Sequence, residues 1–391
     1  MAERDRSTGY DVDALRREEF PWANTGESLY FNHASTGPLP ARTVAKLDEW
    51  SRLRTMPTRI SQELQFGTLA RGRELVASLI GADPSEIAMA TNTSFGVNLA
   101  AFSLPLNAGD VILSPTQEFP ANVYPWMSLS ERRGLSHRMI ECECGVLTAD
   151  RLREELDRDD RIRVVAVSWV QFATGATVDL RALGALCRER NVFFFVDAIQ
   201  GVGPLRLNLR ETHVDILSCG AQKWLMSPWG SGFVYVRRGL IEQLEPHEVS
   251  WLAVKDSDDF SRLTNYHLSW RQDARKFEMI TLPYQDFAGF VTSLELVTAL
   301  GADHIAAHTR RLARRMIDWA SDRDDVEIVT PTDPAHYAGI VSLRPASPAK
   351  VSATLSAAKV AHSLREGAIR LSPYFYNTDD EVDRVLQLLS S

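Results

Sequence analysis

The chain has 391 residues, 45% of them hydrophobic and 24% charged, which is the composition of a folded globular protein with length for one large domain and a smaller one. Its formal charge is −8, and acidic and basic residues are interspersed, so no basic stripe is offered to a nucleic acid. No run approaches the roughly 20 apolar residues of a membrane span, and the opening MAERDRSTGYDVDALRREEF lacks the apolar core of a signal peptide, so a cytoplasmic location without membrane contact is expected.

Residues 1–21 are polar and are expected to pack on the smaller domain or to be partly disordered. From there short apolar runs alternate with helical patterns. The runs lie at 111–114, 163–170, 192–198, 214–219 and 232–237, and several are apolar throughout, as strands buried on both faces are. Between two of them, residues 179–190 (DLRALGALCRER) have the spacing of an amphipathic crossover helix. The middle of the chain is therefore read as an α/β domain with a mainly parallel sheet. After Leu282 the pattern changes to a long helical stretch over 287–322, interrupted at Gly301, and then to short strands near 326–329 and 339–343. The expected organisation is an N-terminal segment (1–21), a large domain (22–282) and a small α+β domain (283–391). Four cysteines, Cys142, Cys144, Cys187 and Cys219, have no zinc-ligand spacing, so no metal site is expected.

Three features carry chemistry. Asp197 closes the run VFFFVD, where an ionised carboxylate needs a cationic partner that no sequence neighbour supplies; taken alone it reads equally as a helix cap. The stretch TNTSFGVNLA sets hydroxyl and amide side chains at the start of an apolar helix, a place that suits either a cap or a phosphate. Lys223, in SCGAQKWLMSPWGSGF, stands among small and apolar residues in a chain with only six lysines. Taken alone it reads as a surface lysine with a buried stem, but unlike a guanidinium an amine can lose its proton and bond to a carbonyl carbon. A phosphate for the helix start, a ring cation for Asp197 and an aldehyde for Lys223 together describe pyridoxal 5′-phosphate.

From about Tyr30 to Asp383 the sequence resembles the class V aminotransferase group of fold-type I pyridoxal-phosphate enzymes. That group includes cysteine desulfurases, kynureninases and isopenicillin N epimerase-like proteins. The resemblance implies a sheet of seven strands sandwiched by helices. YFNHASTGPLP (30–40) is similar to the family's N-terminal active-site loop. TNTSFGVNLA is similar to its phosphate loop, implying Thr93 and Ser94 at the phosphate. VDAIQGVG is similar to its VDGAQ motif, implying Asp197 at the ring nitrogen and Gln200 at the ring hydroxyl. GAQK stands where the family commonly has Ser-x-His-Lys, implying Lys223 as the cofactor lysine, with Gln222, aided by Ser218 or backbone N–H groups, in place of the missing phosphate ligands. QEFPANVYPW puts Phe119 where a histidine commonly stacks on the ring. KFEMIT is similar to RFExGT, implying a homodimer in which Thr281 reaches the partner's phosphate.

Arg370, in GAIRLSPYFYNT, matches the arginine that grips the carboxylate of an amino-acid substrate. The pocket for the substrate side chain is expected to draw on His33, Tyr124, Gln171, Phe172 and Trp270. Desulfurases carry a cysteine on a loop shortly before this arginine; residues 360–369 contain none, which excludes persulfide chemistry from that position. The expected activity is transamination or β-elimination of the C–S lyase kind, with epimerisation as the alternative. An inactive binding homologue is the non-enzyme reading, and the absence of Gly-x-Gly-x-x-Gly argues against a nicotinamide dehydrogenase.

Overall fold

A computed structural model describes residues 9–390. The five apolar runs, with two further strands that were not among them, β1 and β3, form a seven-stranded sheet of β1 (Ile87–Ala90), β2 (Val111–Pro115), β3 (Ser136–Ile140), β4 (Ile162–Ser168), β5 (Phe193–Asp197), β6 (Ile216–Gly220) and β7 (Gly232–Val236). Their order is β1-β7-β6-β5-β4-β2-β3, and β7 alone runs against its neighbours. The mainly parallel sheet expected from the sequence is present. Edge strand β3, SHRMI, is mostly polar and solvent-facing, so no apolar run announces it.

Side chains alternate between two cores, because successive strand residues point to opposite faces. Val164, Ala166 and Phe195 face the apolar side of α2 (Thr93–Ser103), whereas Val165, Val167, Phe194 and Val196 face α3 (Leu180–Glu189). Asp179 caps α3 by accepting from the N–H groups of Arg181 and Ala182. The approach of α2 to the sheet depends on Gly96, since a Cβ there would lie 2.2 Å from Ser218 Oγ.

The long helical pattern after Leu282 is two helices, α4 (Tyr284–Leu300) and α5 (Ala302–Ser321), parted at Gly301 with φ +85°. Beyond them β8 (Val326–Ile328), β9 (Val341–Pro345), β10 (Ser363–Arg365) and β11 (Ala368–Leu371) form an antiparallel sheet in the order β10-β11-β9-β8. Leu312 and Met316 of α5 pack on Val341, Leu343, Ile369 and Leu371 of this sheet. The described part of the N-terminal segment is ordered against the C-terminal residues. Arg16 pairs with Glu381 at 2.9 Å, Tyr10 Oη donates to the Phe375 carbonyl, and Phe20 stacks on Tyr376 with centroids 4.3 Å apart. The expectation for residues 1–8 lies outside the described residues.

Two features position the site. The C-terminal ends of β2, β4, β5 and β6 converge, as open parallel sheets arrange them. The N-terminal loop also returns across the chain: Leu29–Tyr30 pairs with Val360–Ala361, and Gly37 N–H donates to the Gln222 carbonyl at 2.8 Å. A Cβ on Gly37 would stand 2.1 Å from the Lys223 carbonyl oxygen, so this contact tolerates only glycine. Gly37→Ala is expected to cost about 1–3 kcal/mol, read as a lowered thermal midpoint; an unchanged midpoint would show that the loop gives way freely.

Candidate active site

At the converging strand ends lies a cleft of about 200 Å³ lined by Asn92, Thr93, Ser94, Phe119, Ser168, Asp197, Gln200, Gln222 and Lys223, among others. Most residues expected at the cofactor from distant parts of the sequence are thus brought together.

The floor is built by strand register. Ser168 and Asp197 are paired neighbours at the ends of β4 and β5, and Asp197 in turn pairs with Ser218 of β6. Asp197 is 4% exposed and accepts the Ile199 N–H at 3.0 Å. Burial pushes its carboxyl up to about 6, opposed by that N–H and by the charge of Lys223. A carboxylate so placed gains most from a cation in the cleft. Lys223, three residues past β6, is shifted oppositely. Burial lowers its ammonium to about 8, with Asp197 working against the shift and the charges of Arg370 and Arg365 adding to it. Its Nζ lies 5.9 Å from the centre of the Phe119 ring. Phe119 is 45% exposed, so its face is free to cover a planar ligand.

Helix α2 begins at the cleft. Asn92 caps it by accepting from Phe95 N–H, and Thr93 and Ser94 lead its first turn with the positive end of the helix dipole. The hydroxyl of Thr93 accepts the Gly220 N–H at 2.9 Å, which ties the phosphate loop to the end of β6. Gln200 is largely committed: its amide donates to the Ala34 carbonyl at 2.9 Å and accepts from Trp224 Nε1 at 2.7 Å, leaving one N–H free.

Arg370 lies on β11, 2% exposed. It donates to the Phe172 carbonyl at 2.6 Å and to Ser35 Oγ at 2.8 Å, and its Nε has no partner. The other buried arginines all have carboxylates: Arg16 meets Glu381, Arg73 meets Glu278 and Arg271 meets Asp258. Among the described residues Arg370 is the buried arginine without one. Burial, reinforced by Arg365, lowers its guanidinium to about 10.

Three expectations require correction. His33 does not face the cleft. It is fully buried, stacked on Trp224 at 5.8 Å and ringed by Tyr30, Tyr374 and Tyr376, and burial lowers its imidazole to about 3, so it is a neutral core residue. Ser218 cannot replace a missing phosphate ligand, because its buried hydroxyl donates to the Thr93 carbonyl. Of the side-chain pocket set, only Phe172 lines the cleft. Tyr124 is 66% exposed elsewhere, Trp270 pairs with Val254, and Gln171 lies 1% exposed behind the wall, donating to Glu118.

Glu118 escaped the sequence reading. It is buried, and it accepts from Ser168 N–H (2.7 Å), Ser168 Oγ (2.5 Å), Asn122 Nδ2 (2.9 Å) and Gln171 Nε2 (3.2 Å). The only trace of it in the sequence was a carboxylate beside Phe119.

The donor set fits the cofactor read from the sequence: an open helix start for a phosphate, a buried carboxylate lacking a direct cation, a depressed amine and an aromatic face. The profile of the aminotransferase class-V family matches residues 29–385. The chain belongs to this family. A probable cysteine desulfurase of Methanothermobacter thermautotrophicus is 27% identical, covering 91% of this chain and 92% of the relative. The isopenicillin N epimerase of Streptomyces clavuligerus is 28% identical, covering 92% and 94%. In fold the chain is similar to the cystine C-S lyase C-DES, solved with its reaction product cysteine persulfide, with a TM-score of 0.86, 22% identity and coverage of 95% and 99%.

Within this class-V frame one departure is structural. β10 and β11 are joined by the two residues Glu366 and Gly367, at φ +45° and +75°, a tight hairpin of the I′ kind. That turn has no span in which a cysteine could swing over the cleft. The depressed Lys223 amine sets a pH expectation: the neutral form dominates above about 8 and is lost below it. The rate at which apo-protein binds pyridoxal phosphate covalently should rise through a midpoint near 8. A midpoint near the ordinary lysine value would contradict the burial of this amine.

Proposed function

We propose that the protein is a pyridoxal 5′-phosphate enzyme in which Lys223 is the single acid/base group acting on an α-amino acid, with transamination or β-elimination of the C–S lyase kind as the outcome. The observation that carries this reading is Arg370, a buried guanidinium with no carboxylate of its own, whose charge is felt at Lys223. An amino-acid carboxylate supplies the missing anion.

When bound, the cofactor offers an electron-poor ring that accepts the electron pair released as a bond at the α-carbon breaks. The first turn of α2, with the Thr93 and Ser94 hydroxyls, would hold its phosphate, and Gln222 would flank it. Asp197 would keep the ring nitrogen protonated, the remaining N–H of Gln200 would be available to the ring hydroxyl, and Phe119 would exclude water from one face. Arg370 orients the substrate, and Gln171 supports the wall on the side-chain end. Lys223, neutral above about pH 8, would remove the α-proton and return it or hand it on.

Lys223 and Asp197 are the titratable side chains among the described residues lining the cleft, and Asp197 would be engaged with the bound ring. Phe119 can only stack. This favours chemistry with one proton donor on one face over inversion by two opposed acids and bases. Epimerisation is the second reading, supported by the likeness to the Streptomyces clavuligerus epimerase. The described cysteines, Cys142, Cys187 and Cys219, are free thiols, which agrees with the cytoplasmic location that belongs to the same proposal. No helix among the described residues is long and apolar enough to cross a membrane.

The division into large and small domains near residue 282 and a homodimer are further parts of this reading. Thr281 is exposed and absent from the lining of its own cleft, and Tyr266 and Leu268 are 87% and 76% exposed, as residues buried against a second copy would be.

Incubating holo-protein with single amino acids and identifying products by mass should yield a keto acid, or pyruvate with a released thiol. Inverted amino acid as the main product would replace this reading with the epimerase. Arg370→Ala should raise KM for the amino acid on the order of 100-fold, the loss of ~3 kcal/mol from a charge-assisted contact. An unchanged KM would remove Arg370 from the substrate.

A further inference from the structure

Glu118, Ser168 and Asp197 lie side by side at the ends of three adjacent strands, since β2, β4 and β5 are neighbours in the sheet and Glu118 follows β2 by three residues. Two buried carboxylates thus flank one serine. Ser168 gives both its N–H and its hydroxyl to Glu118 and lines the cleft with Asp197. All four donors to Glu118 are neutral groups, and no cation bonds it among the described residues. The titratable groups that face it are Asp197 on β5, whose charge works against its ionisation, and the half-buried thiol of Cys142. Burial is the larger effect and raises Glu118 to about 7.

A lone buried carboxylate costs several kcal/mol, and four hydrogen bonds offset that cost only if the placement matters. Two consequences follow from it. The bonds to Ser168 and Gln171 clamp the turn that carries Phe119, the next residue in the chain, onto the sheet. Asn122 continues the clamp by accepting from Trp126 Nε1 at 3.2 Å, with Trp126 packed against Phe195 at 5.7 Å. The carboxylate also stands behind the place where the proposed cofactor's protonated ring would meet Asp197, so a cation there is stabilised by both acids.

We propose that Glu118 is a positioning residue for the cofactor, which holds Phe119 over the ring through its clamp on Ser168 and, in its ionised form, places a second negative charge behind Asp197. This rests on the pyridoxal-phosphate reading above. Glutamine in its place keeps the volume and part of the hydrogen bonding but not the charge, so a merely structural role and an electrostatic one separate.

The test uses holo-protein, parent and Glu118→Gln, with the pH midpoint of the visible band of the lysine-bound cofactor as the main readout and cofactor Kd of the apo-proteins as the second. Removing a negative charge disfavours the cationic form, so the midpoint should fall by about half a unit or more, and Kd should weaken several-fold. Glu118→Asp should restore part of the midpoint. A midpoint and Kd equal to the parent's, with or without a lowered thermal midpoint, would overturn the proposal. Should Glu118→Gln fail to fold, Ser168→Ala keeps the carboxylate and the backbone N–H bond but removes the hydroxyl bond that stabilises the ionised Glu118. It should shift the midpoint in the same direction, and an unshifted midpoint would overturn the proposal equally. A parent protein with no visible band would instead remove the cofactor reading itself.

Discussion

The site depends on burying an amine and a carboxylate in one cleft without letting them neutralise each other completely. Burial penalises both charges, which drives Lys223 down to about 8 and Asp197 up to about 6. Each is thereby primed for a different partner: the amine for a carbonyl carbon, the acid for a ring cation. A more exposed pair would be fully charged and inert as a nucleophile; a tighter one would be locked as an ion pair.

The rest of the fold serves this arrangement. Strand register sets Asp197 beside Ser168 and Ser218, the Gly37 contact presses the N-terminal loop on the backbone of Lys223, and Gly96 lets α2 bring its first turn to the same cleft. The antiparallel sheet supplies Arg370, whose hydrogen bonds to Phe172 and Ser35 tie the C-terminal residues to the cleft wall and the N-terminal loop. Under the proposed reading, substrate carboxylate, cofactor phosphate and ring nitrogen would each be met by a different element.

Much of this was legible in the sequence because it is written in local contrasts. A carboxylate after five apolar residues, a lysine among small residues and hydroxyls opening an apolar helix each violate a local expectation, and Asp197, Lys223, Thr93 and Ser94 all line one cleft. Five of the strands read well for the same reason; the polar edge strand β3 had no contrast to offer, and the short buried β1, only four residues, made no run long enough to stand out. His33 was misplaced because a histidine in an active-site-like loop looks polar in sequence, whereas three aromatic neighbours from distant segments, with Tyr30 from its own loop, enclose it. Glu118 was missed since its meaning lies in Ser168 and Gln171, some fifty residues away, and a glutamate beside a turn is ordinarily a solvated one.

The most direct measurement is borohydride reduction of the holo-protein followed by peptide mass mapping. The account predicts one cofactor-modified peptide, the one containing Lys223, and none after Lys223→Ala. Modification at another lysine, or no modification of the parent protein, would contradict it.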